Sequence, residues 1–254
     1  MADDAPGQAT PCPICDAAAA MLDVVDFNKC CEETRGVRLP LSGRPIYYFL
    51  CPACGFCFAP EMYRWTLKQF EARVYNDGYA AVDPDYVQVR PEANAASLLK
   101  MLPQFPRDLR HLDYGGGAGL LSQTLRGAGW NSTSYDPFVD LGVDPETLGS
   151  FSLITAYEVF EHVPDVDALM ATIGARLAPD AVVLFTTLLS DGQIDAGQRL
   201  TWWYASPRNG HISLFSRQAL SRLTGRHGFQ FGSFTDGFHA LWRTPPAWAR
   251  HLIR

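Results

Sequence analysis

The distribution of apolar and polar positions predicts short strands near the N-terminus and helices after residue 60. Ala20–Asp26 and Arg44–Leu50 are short apolar runs that predict the two strands of a hairpin. Trp65–Tyr75 has the apolar spacing of a helix. A further helix is predicted at Pro91–Leu102, with its leucines facing inward, because prolines follow it closely.

A β-α-β pattern stands near the middle of the chain. The predicted strand Leu109–Tyr114 leads into a glycine-rich turn, which is followed by an amphipathic helix at Leu120–Gly127 and a second strand at Asn131–Tyr135. This order predicts a Rossmann-type α/β unit, in which ligands bind at the carboxyl ends of the strands.

The spacing of the glycines indicates which ligand the turn suits. Gly115, Gly117 and Gly119 alternate, whereas a dinucleotide fingerprint places its third glycine three residues after the second. The compact form lets the backbone approach a ligand that has no pyrophosphate. Asp113, at the end of the strand, can meet a cationic amino group. Asp136, about 20 residues after the glycines, can accept both hydroxyls of a ribose.

The composition argues against several classes of protein. Hydrophobic residues make up 47% of the 254 residues, which suits one large domain, or a medium domain with a small one. A formal net charge of -6 argues against nucleic acid as a partner. The longest apolar runs, such as Ala181–Leu189, are too short to cross a membrane.

The acidic start Met1–Asp4 does not resemble a secretory signal, so we expect a cytoplasmic protein with reduced thiols.

Seven cysteines all precede residue 58, and four of them form two Cys-Pro-x-Cys pairs. Cys12 with Cys15, and Cys51 with Cys54, complete the tetrahedral thiolate shell that zinc favours. Four protein ligands leave the metal no open position, so the predicted zinc is structural. A redox pair is the weaker alternative, because no thioredoxin-like pattern surrounds either pair. The remaining cysteines are Cys30, Cys31 and Cys57, and we expect them to be packing residues. A substrate-facing role stays open for Cys30 and Cys31.

The chain is expected to divide into three parts. Residues 1–60 form the zinc module, residues 61–90 an aromatic-rich connector, and residues 91–254 the α/β domain. The connector is expected either to pack between the two lobes or to close as a lid over a substrate pocket.

Three segments resemble motifs of the class I S-adenosylmethionine-dependent methyltransferases. The string LDYGGGAG at Leu112–Gly119 looks like the first motif of that family. The string ITAYEVFEHVPD at Ile154–Asp165 is similar to its fourth-strand segment, and NGHISLFS at Asn209–Ser216 resembles a segment after its fifth strand. The resemblance covers about residues 91–243, with the three motifs in the family's order.

The resemblance implies a Rossmann-like, mostly parallel sheet with an antiparallel last strand, beside a small zinc-ribbon-like module. Its central strand is Phe151–Glu158, which is apolar on both faces as such a strand must be. The later elements are expected to be a crossover helix at Val166–Leu177, a strand at Ala181–Leu189, a helix at Arg217–His227, and hairpin strands at Phe229–Thr235 and Phe238–Arg243. The stretch from Asp136 to Phe151 is short for the family, so a helix and a strand are expected to be abbreviated there.

The residues that the resemblance assigns to S-adenosylmethionine lie at the ends of predicted strands. They are Asp113, Gly115 and Gly117 at the methionine end, Asp136 at the ribose, Phe138 at the adenine, and Tyr157 and Glu158 at the cofactor or the substrate. The alternative for the glycines is a plain tight turn, and for Asp136 a carboxylate that caps a turn.

The candidate catalytic residues are His211, His162 and Tyr204. His211 lies in a long polar loop after the fifth predicted strand, as does Tyr204, and a neutral imidazole there can take a proton from a substrate. The alternative for both histidines is a structural role, in which His211 pins the loop and His162 bonds to neighbouring loops. His227 and His239 are expected to be structural.

The expected function is methyl transfer to a small polar metabolite, including a sugar or glycan precursor. A cysteine module before this core resembles the nucleotide-sugar C-methyltransferases, but those enzymes carry His-Glu-His where this chain has Asn209-Gly210-His211. The missing glutamate counts against carbon methylation. The alternatives are an RNA or protein methyltransferase that docks through its zinc module, and a non-catalytic binding protein that keeps the fold. The oligomeric state is left open.

Overall fold

A computed structural model describes residues 9–253 of the chain, and the acidic segment Met1–Asp4 lies outside them. The strands are β1 (Thr10–Pro11), β2 (Ala18–Asp26), β3 (Pro45–Leu50), β4 (Cys57–Phe58), β5 (Arg110–Tyr114), β6 (Asn131–Tyr135), β7 (Phe151–Tyr157), β8 (Leu177–Thr186), β9 (Ser213–Leu214), β10 (Gln230–Ser233) and β11 (Phe238–Trp242). The α-helices are α1 (Pro60–Tyr63), α2 (Leu67–Arg73), α3 (Tyr79–Val82), α4 (Val89–Met101), α5 (Leu120–Gly127), α6 (Val166–Arg176) and α7 (Arg217–Arg226). Short 3-10 helices cover Cys31–Arg35, Pro145–Leu148, Phe160–His162, Pro207–Asn209 and Ala247–Ala249. None of the helices within residues 9–253 has the length and apolar character that a membrane crossing requires.

These elements form two compact units. The first unit contains the chain up to Asp83 together with Glu161–Val166 and Leu188–Leu223. The second unit contains Pro84–Phe160, Asp167–Thr187 and the chain from Thr224 onward. Each unit therefore joins segments that are far apart in sequence. The domain boundaries expected from the sequence remain a prediction.

The second unit is built on a six-stranded sheet in the order β10-β11-β8-β7-β5-β6. Strands β6, β5, β7 and β8 are parallel, whereas β11 pairs antiparallel with both β8 and β10. Strand β7 lies inside the parallel part, and its Phe151, Leu153, Ile154 and Ala156 are fully buried. The predicted α/β sheet with an antiparallel final hairpin is confirmed.

Strand β8 differs from its predicted bounds, because it begins at Leu177 rather than Ala181 and ends at Thr186 rather than Leu189. Its pairing with β7 shifts register, so that Leu177 pairs with Phe151 and Val182 with Leu153. A bulge of this kind adds residues to one strand, which an apolar pattern along one chain does not reveal.

The segment between β6 and β7 holds one 3-10 helix, Pro145–Leu148, and no strand. The sheet accordingly ends at β6, as the shortness of this segment predicts.

Helices α4 and α5 cover the core of the second unit. Leu98 of α4 and Leu125 of α5 are fully buried with Leu153 and Leu184 of the sheet. Burial of each such side chain contributes roughly 2 kcal/mol. The amphipathic pattern of Leu120–Gly127 is thus explained by packing of its leucines into this core.

The first unit contains a five-stranded antiparallel sheet in the order β1-β2-β3-β4-β9. The predicted hairpin corresponds to β2 and β3. Strands β4 and β9 were not predicted, because each is only two residues long and too short to show an alternating pattern. Phe56 lies 4.9 Å from Phe215 between ring centroids and stacks on Phe58, so aromatic side chains fill the core of this sheet.

The aromatic-rich connector forms the short helices α1, α2 and α3. Helix α2 covers the middle of the predicted helix Trp65–Tyr75 and starts at a capping box, in which Thr66 and Gln69 bond reciprocally to each other's backbone. Phe70, Val74 and Tyr79 are buried within the first unit. The lid alternative for this segment stays a prediction.

Candidate functional site

The glycine-rich turn joins β5 to α5 with a backbone that only glycine adopts easily. Gly115 and Gly117 have φ of +74° and +53°. A Cβ on Gly115 would lie 2.5 Å from Cγ2 of Val159, whereas a Cβ on Gly117 would meet no atom within 4 Å. The turn therefore packs closely against Val159 at Gly115, where a side chain has no room, and faces open space at Gly117.

Asp136, directly after β6, is bonded to the same turn. Its Oδ2 accepts from the backbone N–H of Gly117 at 2.9 Å, and its Oδ1 accepts from that of Phe138 at 2.8 Å. The structure therefore brings together three predicted cofactor-binding residues at the carboxyl ends of β5 and β6. A carboxylate has about four acceptor positions, so each oxygen keeps room for a further donor.

Asp113 is a buried carboxyl near the end of β5, with 3% of its surface exposed. Burial raises its pKa to about 7; the hydrogen bond from Thr155 opposes this shift and the charge of Asp136 adds to it. The hydroxyl of Thr155 donates to Oδ1 of Asp113 at 2.9 Å. Asp113 therefore titrates near neutral pH in the free protein.

A chain of hydrogen bonds runs from Asp113 across the sheet. His111 Nε2 is 3.0 Å from Thr155 Oγ1, His111 Nδ1 is 2.8 Å from Ser132 Oγ, and Ser132 is 2.8 Å from Ser122. Burial lowers the pKa of His111 to about 3, so the ring is neutral. Because Thr155 donates to the carboxylate, it accepts from Nε2–H, and Nδ1 then accepts from Ser132. Each group in this chain therefore donates to the next one along, and the last donor, Thr155, donates to Asp113.

Tyr157 and Glu158 lie at the carboxyl end of β7. Burial raises the pKa of Tyr157, with a smaller contribution from the charge of Asp113. Glu158 has φ of +55°, and its side chain accepts from Thr186 Oγ1 at 2.9 Å, while its backbone N–H donates to that hydroxyl at 2.8 Å. Strained non-glycine residues cost about 1–3 kcal/mol and concentrate at functional sites, which makes Glu158 a stronger candidate.

In the first unit, Tyr204 connects His211 to Glu161. Nδ1 of His211 is 2.8 Å from the carbonyl oxygen of Tyr204, and the hydroxyl of Tyr204 donates to Oε1 of Glu161. The rings of His162 and His211 lie 4.8 Å apart between centroids. The three predicted catalytic residues are thus brought together, and Glu161 joins them although it was not predicted to act. Its position next to His162 in the sequence was the available signal.

The proton positions in this cluster follow from its partners. A carbonyl oxygen only accepts, so Nδ1 of His211 carries the hydrogen and Nε2 of the neutral ring carries the lone pair. Glu161 is fully buried, and His211 has 4% of its surface exposed. The cluster therefore holds a basic nitrogen and a carboxylate in a place of low water access.

Two cationic side chains, the partly buried Lys29 and the buried Arg208, hold the loop that carries this cluster. Nζ of Lys29 donates to the carbonyls of Trp202 and Ala205, each at 2.8 Å, and Nη1 of Arg208 donates to that of Val74 at 2.7 Å. Burial lowers the pKa of Lys29. Placing charged groups against carbonyls stabilises a loop conformation that has few strand bonds of its own.

The two cysteine pairs meet in the first unit. Sγ of Cys12 is 3.6 Å from that of Cys54, and Sγ of Cys15 is 3.4 Å from that of Cys51. The four sulfurs lie within 4.8 Å of one another, and all seven cysteines are free thiols. Sulfurs around a tetrahedral zinc at about 2.3 Å are separated by roughly 3.8 Å, so the group can hold a metal ion.

The remaining cysteines and histidines have other surroundings. Burial raises the pKa of the Cys30 and Cys57 thiols, which keeps both protonated, and Sγ of Cys31 lies 3.8 Å from Nδ1 of His211. His239 is bonded to Ser233 and to the carbonyl of Thr187, and His227 to Asp167.

Comparison with known proteins gives a family and relatives. A family model described as a methyltransferase domain matches residues 86–232, more than half of the chain. The ubiquinone biosynthesis O-methyltransferase of Paramagnetospirillum magneticum is 36% identical over 98 residues, which are 30% of this chain and 39% of that protein. The enzyme of the same name from Colwellia psychrerythraea is 26% identical over 108 residues, 32% of this chain and 42% of that protein. The chain thus matches about two fifths of the length of these curated relatives.

A solved structure of an O-methyltransferase family protein from Burkholderia thailandensis is similar with a TM-score of 0.51 and 13% identity, over 74% of this chain and 67% of that one. At this identity the likeness shows the fold alone.

Replacing Asp113 by asparagine is expected to stabilise the protein at alkaline pH. The native carboxyl has a pKa of about 7, above its ordinary value of 3.8, so ionisation destabilises the fold progressively as pH rises between these values. Asp113→Asn should therefore raise the free energy of unfolding by up to about 4 kcal/mol at pH 8 and by little at pH 4. Urea unfolding at both pH values measures this.

The exposed Asp180→Asn variant is the matched control and should show no such pH-dependent gain. Equal stability of Asp113→Asn and the unmodified protein at pH 8 would show that the native site accommodates the ionised carboxylate without cost.

Proposed function

Because the chain belongs to the methyltransferase-domain family, matched over residues 86–232, we propose that it transfers a methyl group from S-adenosylmethionine to a small polar acceptor. The observation that carries this proposal is the joining of Asp136 to the glycine turn at the carboxyl ends of β5 and β6. In such sheets this edge is where nucleoside ligands bind.

The residues of the second unit fit the proposed cofactor. Gly117 offers bare backbone facing open space, and Asp136 has acceptor positions left for two ribose hydroxyls. Asp113 supplies the carboxylate for the cationic amino group of the methionine end, and Phe138 the apolar face for the adenine. Tyr157 and Glu158 complete this edge at the end of β7.

The cofactor, when bound, supplies an activated methyl group on a sulfonium. Methylation of an acceptor hydroxyl would replace its O–H bond by an O–CH₃ bond, with the electron pair of the broken C–S bond left on sulfur and the proton taken up by the protein or by solvent. The protein's task is then to align the acceptor and to help the proton leave.

We assign the proton step to the cluster of Glu161, His162, Tyr204 and His211. The basic Nε2 of His211 and the buried carboxylate of Glu161 are groups that favour loss of a proton from a neighbouring hydroxyl. Both curated relatives are named O-methyltransferases, which supports oxygen as the acceptor atom. A sugar or glycan precursor is one class of small hydroxyl acceptor that fits, and the formal net charge of -6 argues against a nucleic acid.

The four-cysteine group is proposed to hold a structural zinc ion. Cys12, Cys15, Cys51 and Cys54 supply four sulfur ligands and leave no open coordination position. Metal binding would then stabilise the sheet of the first unit rather than take part in the reaction.

Asp136→Ala is expected to weaken binding of S-adenosylmethionine by at least tenfold, because hydrogen bonds to a charged group contribute about 1.5–3 kcal/mol each. Calorimetric titration of the purified protein, freed of bound cofactor, measures the affinity. Asp136 also accepts two backbone N–H groups, so Asp136→Asn, of similar size, is tested beside it. Unchanged affinity in both variants would reject the ribose assignment.

His211→Ala is expected to lower kcat by about 100-fold or more, with the affinity for S-adenosylmethionine kept within about twofold. Formation of S-adenosylhomocysteine is followed with a panel of phenols and nucleotide sugars as acceptors. Normal turnover would mean that His211 only pins its loop through the Tyr204 carbonyl.

A further inference from the structure

Three side chains of the first unit converge with the chemistry of metal ligands. A carboxylate oxygen of Glu161 and ring nitrogens of His162 and His211 lie within 4.8 Å of one another. Glu161 is fully buried and His211 nearly so, whereas His162 is partly exposed. The group thus combines one oxygen and two nitrogens at a place that remains open on one side.

The proton arrangement of His211 suits a ligand. Its Nδ1–H donates to the carbonyl oxygen of Tyr204 at 2.8 Å, which directs the lone pair to Nε2. Histidines that bind metals usually donate their other ring N–H to a carbonyl or a carboxylate in this way, which fixes the tautomer and orients the ring.

Tyr204 also orients the carboxylate. Its hydroxyl donates to Oε1 of Glu161, while its backbone carbonyl holds His211, so that one residue positions two of the three groups. The backbone supports the same arrangement, because the N–H of Ile212 donates to the carbonyl of Glu161 at 2.9 Å. In metal sites, hydrogen bonds of this kind to the ligating side chains fix the orientation of the ligands and raise their basicity.

We propose that Glu161, His162 and His211 bind a divalent transition-metal ion. Two imidazoles and one carboxylate form a three-ligand set that leaves coordination positions open, and it suits Mn²⁺, Fe²⁺ or Zn²⁺. With bonds of about 2.1 Å, neighbouring ligand atoms around a tetrahedral ion are roughly 3.4 Å apart. The three ligand atoms, which lie within 4.8 Å of one another, therefore have to close by at most roughly 1.4 Å through side-chain rotation.

The site differs in kind from the four-cysteine group. Thiolates select soft ions and fill all four positions, whereas nitrogen and oxygen ligands accept Mn²⁺ and leave room for another ligand. On the proposed function, on which this step rests, the open position takes the acceptor's hydroxyl oxygen. A divalent ion lowers the pKa of a bound hydroxyl by several units, so His211 would assist the proton step proposed above through the ion that it binds.

The test is Mn²⁺ binding, measured by electron paramagnetic resonance on full-length protein that has been dialysed against EDTA. No cofactor or acceptor is needed, so the result is independent of whether the protein transfers methyl groups. We expect one Mn²⁺ per chain with micromolar affinity. His211→Ala and His162→Ala should each weaken binding at least tenfold. His227→Ala, which removes an imidazole paired with Asp167 at 2.7 Å elsewhere, should bind as the unmodified protein does.

Zinc content, measured by elemental analysis, shows whether the variants are folded. After dialysis against EDTA, which removes the ion of the three-ligand site, we expect one zinc per chain in the unmodified protein and in both histidine variants, and loss of that zinc in Cys51→Ser. Equal Mn²⁺ affinity in His211→Ala and the unmodified protein would overturn the proposal. So would zinc-containing, folded protein that takes up no Mn²⁺, Co²⁺ or additional Zn²⁺.

Discussion

Burial of the Asp113 carboxyl is the constraint around which the second unit is arranged. A carboxylate taken out of water is costly unless donors replace the lost solvent. Here Thr155 donates to it directly, and His111, Ser132 and Ser122 continue the line of donors across β5, β6, β7 and α5. These polar residues occupy buried positions that apolar side chains would otherwise fill. The sheet therefore has less apolar packing at these positions, and it holds a carboxyl with a pKa of about 7 at its ligand-binding edge.

The first unit also contains a buried carboxyl group, and different side chains hold it. The buried carboxylate of Glu161 is held by Tyr204, and Tyr204 is held in a loop that is anchored by Lys29. Binding and catalytic residues are common on loops that a rigid scaffold positions. The Lys29 ammonium fits that role, because it donates to backbone carbonyls on both sides of Tyr204, whose own carbonyl oxygen accepts from His211.

The elements around the glycine turn could be predicted because their signals are local. Leu120–Gly127 and Asn131–Tyr135 have the same bounds in the sequence pattern and in the structure, since glycines mark both ends of the helix and Asp136-Pro137 follows the strand. The two-residue strands β4 and β9 had no such signal, because only pairing between distant segments defines them. Alternation along β5 could place His111 and Asp113 on one face, but the hydroxyls that join them come from neighbouring strands. The part played by Glu161 was missed for the same reason, since its partner Tyr204 is 43 residues away.

The pH dependence of S-adenosylmethionine affinity tests most directly whether Asp113 is kept buried for a ligand. If the ionised carboxylate binds the cofactor's amino group, affinity should be constant above about pH 7.5 and fall by up to tenfold for each pH unit below about 6.5, because protons compete with the ligand. Titration of the cofactor itself affects both proteins equally, so the difference between the unmodified protein and Asp113→Asn reports on Asp113 alone. The variant should bind weakly, and its affinity should not fall below about pH 6.5 in this way. A flat profile in the unmodified protein, or equal affinities of the two proteins at every pH, would contradict the role given to Asp113.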